Sequence, residues 1–341
     1  MKRKGNLMSQ IESIDNILLA YHQARRGKTG KKEVIKFSEN LYDNILKIRD
    51  GLRTGTVEIG NYHYFKIYDP KERLICAASF PERVMHHAIM NVCKPRFESN
   101  LIFDSYASRS GKGVYAAIDR ARLGMARYAY VAKLDVRKCF DSVSHEVLKG
   151  LLRRIFKDQR LLQLFDRIID SYEVTPGCGI PIGNLPSQYF MNLYLSPLDH
   201  YIKEVLLVPI YVRYMDDKLL YDNDREKVKE YVSSVTDFVE NVLRLKLKTP
   251  QIVKTEQGVS FLGYFINKDN ILLNRRSKLR FKNKMISYGQ LLADGVWSQE
   301  RYLHQVNSLI AFARKANTYC LCNSICSTIE GDSRLEGAAW R

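Results

Sequence analysis

"PIYVRYMDDKLLYDN", residues 209–223, sets two adjacent aspartates, Asp216 and Asp217, between two runs of apolar residues. The flanking pattern predicts a buried hairpin with the acidic pair at its crest. A carboxylate taken out of water is costly unless something positive meets it, and two side by side repel each other. Aspartate is also a favoured turn residue, so turn chemistry alone is compatible with the pair. The remainder of the chain decides between the two.

The chain has 341 residues, a length that predicts two or three compact units, and 45% of them are hydrophobic, which excludes a disordered chain. Lys and Arg number 54 against 37 Asp and Glu, a formal net charge of +17. Such an excess points to a polyanionic partner, nucleic acid before an acidic membrane surface. No apolar run approaches the roughly 18 residues of a spanning helix. The N-terminal "MKRKGNLMSQIESIDN" has no apolar signal-peptide segment, so a cytoplasmic location is expected. The scattered cysteines 76, 93, 139, 178, 320, 322 and 326 fit reduced thiols, and the last three have no fourth zinc ligand near them.

Helical apolar spacing covers residues 7–27 and 33–50, the second placing Val34, Phe37, Leu41, Ile45 and Ile48 on one face and stopping at Gly51. A glycine-broken basic loop, "ARRGKTGKK", separates them. Strand texture follows from Thr56 to Phe80 with a turn at "DPKE". Helices are expected at 81–96, 112–127, 144–157, 159–172, 187–206 and 225–244, and "YAYVAKLDV" (128–136) is a short apolar strand ending in an aspartate. "GVSFLGYFI" is a strand with its own turn, and from Arg275 the chain is helical and basic. This order predicts an α+β fold, an antiparallel sheet backed by helices on one face.

Three aspartates thus stand at ends of apolar strands: Asp135, Asp216 and Asp217. Carboxylates can share one point only if cations neutralise them. Hard oxygen ligands without nearby His or Cys select Mg²⁺, with Mn²⁺ as a substitute. A pair of such ions about 4 Å apart activates an attacking hydroxyl and stabilises a leaving phosphate oxygen.

"YVRYMDD" resembles the YxDD signature of reverse transcriptases, and "KLDVRKCFDSV" their first palm motif. "KERLICAASFPERVMHHAI" and "FDSYASRSGKGVYAAI" resemble the fingers motifs of the bacterial enzymes. "GIPIGNLPSQYFMNLYLSPLDHYI" is similar to the segment after the first palm motif, and "FLGY" to the primer-grip hairpin. These motifs run in the family order from Lys71 to Tyr264. The resemblance implies a right-hand polymerase fold with fingers at 1–127, a palm with an antiparallel sheet at 128–270 and a helical thumb at 271–341.

By that resemblance Asp135, Asp216 and Asp217 are ligands of two Mg²⁺ ions, and Val136 offers its carbonyl to the nucleotide-bound one. Phe140 matches the aromatic that closes the nucleotide pocket, where a flat ring under the sugar disfavours a 2′-hydroxyl. Arg73 matches the arginine that grips the triphosphate, with Lys71 or Lys66 as its companion; a planar guanidinium suits phosphate oxygens. Arg83 and Arg109 match positions near template or nucleotide. Lys254 corresponds to a lysine that protonates the departing pyrophosphate, a general-acid role. The basic stretch 275–315 is expected to contact phosphates without reading sequence. Its aromatics, Tyr288, Trp297 and Tyr302, are expected in the core.

"PIGNLPSQ" departs from the common family pattern: Ile182, before Gly183, replaces a Gln and Gln188 replaces a Pro. This variant marks reverse transcriptases of diversity-generating retroelements, and "SYASRSGKG" and "NLYLSPLDH" also resemble that branch. The resemblance implies copying of a template-repeat RNA into cDNA with errors at adenines, from dNTPs and a primer, together with a small basic accessory protein and no membrane. Ile182 offers shape where Gln would hydrogen-bond, a loss of about 1–3 kcal/mol of discrimination. About seventy residues follow the primer-grip hairpin, enough for a thumb but not for an RNase H, endonuclease or maturase domain. The alternatives are another bacterial reverse transcriptase (group II intron-like, retron or abortive-infection type) and a catalytically inactive RNA-binding protein on the same fold.

Overall fold

The computed structural model describes residues 5–68 and 72–330. The chain opens with α1 (Met8–Ile11), α2 (Ile14–Ala24), α3 (Lys32–Glu39) and α4 (Leu41–Thr54). Next come the hairpin β1 (Tyr62–Tyr68) and β2 (Glu72–Ala78), then α5 (Phe80–Glu98) and α6 (Val114–Arg127). Strand β3 (Tyr130–Asp135) leads to α7 (His145–Ile155), α8 (Gln159–Asp170) and α9 (Leu185–His200). The hairpin β4 (Ile210–Tyr214) and β5 (Asp217–Asp222) precedes α10 (Arg225–Asn241). Short strands β6 (Gln251–Lys254), β7 (Val259–Phe261), β8 (Tyr264–Ile266) and β9 (Ile271–Leu273) end in α11 (Arg275–Ala293), α12 (Gln299–Ala313) and α13 (Tyr319–Glu330). Among the described residues no helix is long and apolar enough to cross a membrane.

Two compact units share the chain, each made of separate stretches. One comprises Met1–Gly111, Asp135–Leu207 and Tyr231–Thr249; the other Lys112–Leu134, Val208–Glu230 and Pro250–Arg341. In the first, Tyr21 stacks on Phe37 at 5.7 Å between centroids while Phe80 meets Phe37 edge-on at 5.1 Å. A second nucleus gathers Phe97, Phe156, Phe165 and Phe190, all buried, with centroids 5.4–6.1 Å apart. Such edge-to-face pairs add about 0.5–1.5 kcal/mol each beyond the area they bury.

The helical punctuation differs from expectation in two places. The run 7–27 breaks at Ser13, whose hydroxyl accepts from the Asn16 N–H at 3.3 Å and caps α2. The run 33–50 breaks at Asn40 and then passes through Gly51 to Thr54, ending at Gly55 with φ +74°. Gly51 is a packing glycine rather than a stop: a Cβ there would lie 3.1 Å from the Val57 Cα, where the chain folds back.

The second unit is built on a four-stranded sheet of order β4-β5-β3-β6, with β4/β5 and β3/β6 antiparallel. Helix α6 covers it closely. The Tyr221 hydroxyl donates to the Ala121 carbonyl at 3.1 Å, and a Cβ on Gly124 would fall 2.7 Å from the Tyr221 ring. Strands β7-β8-β9 form a separate sheet, pinned to α12 by Tyr264, whose hydroxyl donates to the Phe312 carbonyl at 2.8 Å. In the tail Tyr302 is buried as expected, whereas Tyr288 and Trp297 are only half-buried and pack on each other at 4.8 Å, with the Arg301 guanidinium over the Trp297 ring. Strands β6 and β9, of four and three residues, carry too little alternation to be foreseen.

Candidate active site

In the second unit, the register of β4 and β5 sets Tyr214 opposite Asp217 and leaves Met215–Asp216 as a two-residue turn. Asp217 is therefore the first strand residue rather than part of the crest. Met215 takes φ +51°, the left-handed conformation that a two-residue hairpin turn asks of its first central residue, here without a glycine to relieve it. Beside the turn, Arg213 and Lys218 face each other across the hairpin, and both are fully buried. The Lys218 Nζ donates to the Asp216 carbonyl at 3.0 Å and the Arg213 Nη1 to the Met215 carbonyl at 3.4 Å. Cations thus tie down the turn that carries the carboxylates, a device unannounced except by two basic residues in apolar strands.

Strand β3 lies next to β5 in the sheet and ends on Asp135. In the first unit, the chain beyond it keeps pairing. Val136 bridges Leu247, the Arg137 N–H donates to the Lys246 carbonyl at 2.8 Å, and the Lys248 N–H to the Asp135 carbonyl at 2.8 Å. The Lys248 ammonium closes an ion pair on Asp135 Oδ2, while Oδ1 is buried without a hydrogen-bond partner. Lys254 stands elsewhere: it ends β6 opposite Tyr130, at the start of β3. Five residues separate Tyr130 from Asp135, roughly 16 Å at the usual strand rise. The lysine brought to Asp135 is Lys248.

Among the described residues no group of three His, Cys, Asp or Glu side chains is gathered to hold a metal. The donor chemistry still suits a hard divalent cation. Asp135 presents a buried carboxylate oxygen with no donor on it, and its other oxygen already holds a cationic group.

The first unit also brings the 179–183 loop against residues 140–143 and against β2. The Ile180 N–H donates to the Phe140 carbonyl at 2.9 Å and the Gly179 N–H to the Val143 carbonyl at 2.8 Å, stitching 179–180 to 140–143. The Ile182 carbonyl accepts from the Cys76 N–H of β2 at 2.8 Å. Gly183, at φ +116°, sits so close to β2 that a Cβ would lie 3.0 Å from Ile75 Cγ2 and 3.2 Å from the Cys76 carbonyl oxygen. Phe140 and Ile182 are both half-buried, whereas Val136 is buried. Burial pushes the Asp141 carboxyl above its usual range, with Lys138 opposing. Gln188, in the first turn of α9, accepts from the Ser108 hydroxyl at 2.8 Å. That bond joins two stretches singled out separately in the sequence.

Arg73 lies exposed on β2 opposite Ile67. Lys66, on β1, pairs with Glu72 at 2.7 Å and holds that carboxyl below its usual range. Lys71 falls outside the described residues. Arg83 donates to the Ala78 carbonyl at 2.7 Å and to Glu33 at 2.8 Å, and Arg109 to the Ile102 and Ser105 carbonyls at 2.6 and 2.9 Å. Arg83 thus joins backbone to a carboxylate, and Arg109 grips two carbonyls of its own loop.

The profile of the family described as "Reverse transcriptase (RNA-dependent DNA polymerase)" matches residues 68–266, more than half of the chain. The chain belongs to the reverse transcriptase family. Protein YkfC of Escherichia coli (strain K12) is 23% identical over 299 residues, covering 73% of this reverse transcriptase and 74% of that protein. The Putative COX1/OXI3 intron 1 protein of Saccharomyces cerevisiae is 21% identical over 59% of this chain, which spans 26% of its length. Group II intron-encoded protein LtrA of Lactococcus lactis subsp. cremoris is 23% identical over 50% of this chain and 29% of its own. The reverse transcriptase thus matches only about a quarter of the length of the two intron proteins. The apo telomerase of Candida tropicalis superposes with a TM-score of 0.51 at 12% identity, over 80% of this chain and 59% of that one. The fold is the right-hand polymerase fold, mixed helices with antiparallel sheets.

Proposed function

We propose that this reverse transcriptase is an active RNA-directed DNA polymerase that extends a primer on an RNA template from dNTPs. The observation that carries the proposal is a loop, 179–183, that bonds to Phe140 through Ile180 and to β2, the strand that bears Arg73, through Ile182, with Gly183 packed against the same strand. In this role the Phe140 ring lies under the incoming sugar and excludes a 2′-hydroxyl. Arg73, with Lys66 or Lys71, grips the triphosphate. Asp135, Asp216 and Asp217, with the Val136 carbonyl, hold two divalent cations, Mg²⁺ or Mn²⁺. Such ions, when bound, lower the barrier to in-line attack on the α-phosphate. Lys254, at the end of β6, is the proposed general acid toward the departing pyrophosphate. Fingers at 1–127, palm at 128–270 and thumb at 271–341 are the proposed division of labour, with template RNA and cDNA on the basic surface.

The finer proposal is a diversity-generating retroelement enzyme, error-prone at template adenines and aided by a small basic accessory protein in the cytoplasm. Its support is the Ile182…Gln188 variant, together with the hydrogen bond from Ser108 to Gln188. A group II intron-like enzyme is the second reading, favoured by the likeness to LtrA. Labelled dNTP extension on a primed RNA with Mg²⁺, followed by sequencing of the product, separates them. Errors concentrated at adenines support the first and even errors the second. No incorporation, with a basic partner supplied, favours an RNA-binding role.

A further inference from the structure

We infer that Lys248 is the resident counterion of the metal site: its ammonium neutralises Asp135 until a divalent cation displaces it, so Lys248 sets how much metal the enzyme needs. The inference rests on the proposed role of Asp135 as a ligand.

Lys248 is held beside Asp135 by its backbone, not by chance of a long side chain. Its N–H donates to the Asp135 carbonyl, and the same short ladder joins Arg137 to Lys246 and Val136 to Leu247. The segment before it alternates. Leu243, Leu245 and Leu247 point inward and are buried, and the Leu243 carbonyl accepts from the Tyr194 hydroxyl at 2.6 Å. Arg244 and Lys246, on the alternate positions, are exposed. Arg244 is engaged by Glu146 at 2.7 Å, while Lys248, the next but one in this outward row, reaches Asp135.

An ammonium and a divalent ion compete for the same carboxylate, because each repels the other at contact. The pair is partly solvated, with the Lys248 side chain 40% exposed and that of Asp135 26%. Exposed pairs are weak, so a doubly charged ion displaces the ammonium without moving the backbone clamp. Four methylene groups let the ammonium swing while the peptide stays paired with Asp135. The buried, donor-free Oδ1 of Asp135 completes the arrangement, since it has an acceptor site that Lys248 leaves unused.

The test measures Mn²⁺ binding by the loss of the free-ion electron paramagnetic resonance signal, on the full chain without nucleotide or nucleic acid. Lys248→Met is expected to bind Mn²⁺ roughly threefold to tenfold more tightly than the wild type. Lys248→Arg, which keeps the charge, is expected to match the wild type, and Asp135→Asn to weaken binding. Lys248→Gln provides a second neutral side chain, and circular dichroism checks that each variant is folded. Equal or weaker binding by both neutral variants overturns the counterion role. If Asp135→Asn also leaves Mn²⁺ binding unchanged, the ligand assignment falls with it. Binding that depends on Asp135 but ignores Lys248 removes the counterion alone.

Discussion

Replacing Gly183 with alanine puts a methyl group into the seam between the 179–183 loop and β2. The added Cβ would meet Ile75 Cγ2 at 3.0 Å and the Cys76 carbonyl oxygen at 3.2 Å, and the φ of +116° is one that L side chains rarely adopt. Holding a non-glycine residue in such a conformation costs about 1–3 kcal/mol. The molecule has two ways to absorb that cost. Kept in place, the strain lowers unfolding free energy by the same amount. Relieved by moving the loop off β2, it breaks the Cys76–Ile182 hydrogen bond and widens the proposed nucleotide pocket. The KM for dNTP would then rise roughly fivefold to a hundredfold, since each 1.4 kcal/mol is a factor of ten. Thermal melting together with steady-state primer extension at varied dNTP reads both channels. An alanine variant with unchanged Tm and unchanged KM would refute the seam as a constraint on the pocket.

Ile182→Asn places a polar group at the pocket wall and is expected to lower misincorporation opposite template adenine by about tenfold, read by sequencing cDNA; an unaltered adenine spectrum would count against the finer functional proposal. Gly124→Ala drives a methyl against the Tyr221 ring, 2.7 Å away, and is expected to cost about 1–3 kcal/mol of stability despite the better helix propensity of alanine; a raised Tm would contradict that packing. Burial lifts the Glu82 carboxyl above its usual range, against the N–H groups of Gly60 and Asn61, and its Oε2 is buried without a partner. The folded state therefore holds that proton more tightly than the unfolded chain, and stability falls as pH rises from the ordinary carboxylate value through the raised one. Glu82→Gln is expected to raise Tm at neutral pH and to match the wild type near about pH 4; a lower Tm at neutral pH would reverse the sign.

The hairpin 210–222 was legible because two apolar strands flanking a short polar break leave few alternatives for "IYVRYMDDKLLYD", although the turn proper is Met215–Asp216 and not the aspartate pair. The position of Asp135 at a strand end followed from "YVAKLD" in the same way. Less was legible where tertiary contact overrides local pattern. Gly51 looks like a stop, yet Val57 packs on it and the helix continues. Strand β6 and the ladder at 246–248 are too short for periodicity, so the lysine that reaches Asp135 could not be told from its neighbours. In "RLKLKTPQIVK" four basic residues stand within eleven positions, and only the register with β3 separates Lys248 from Lys254. The buried Arg213 and Lys218 escaped for a related reason, because charge in a strand reads as solvent exposure until the opposite strand is known.

The interleaving of the two units has a consequence for biosynthesis. The first unit draws on Met1–Gly111 and also on Tyr231–Thr249, so its emerging N-terminal helices wait for a much later stretch. At roughly 5–20 residues per second that interval lasts on the order of ten seconds. Throughout it the first unit lacks the stretch that carries Val235, Val239, Leu243 and Leu245, all buried in the finished protein. Chaperone engagement on the ribosome is the expected companion of this topology, and excising either unit as one continuous gene fragment would yield an incomplete core.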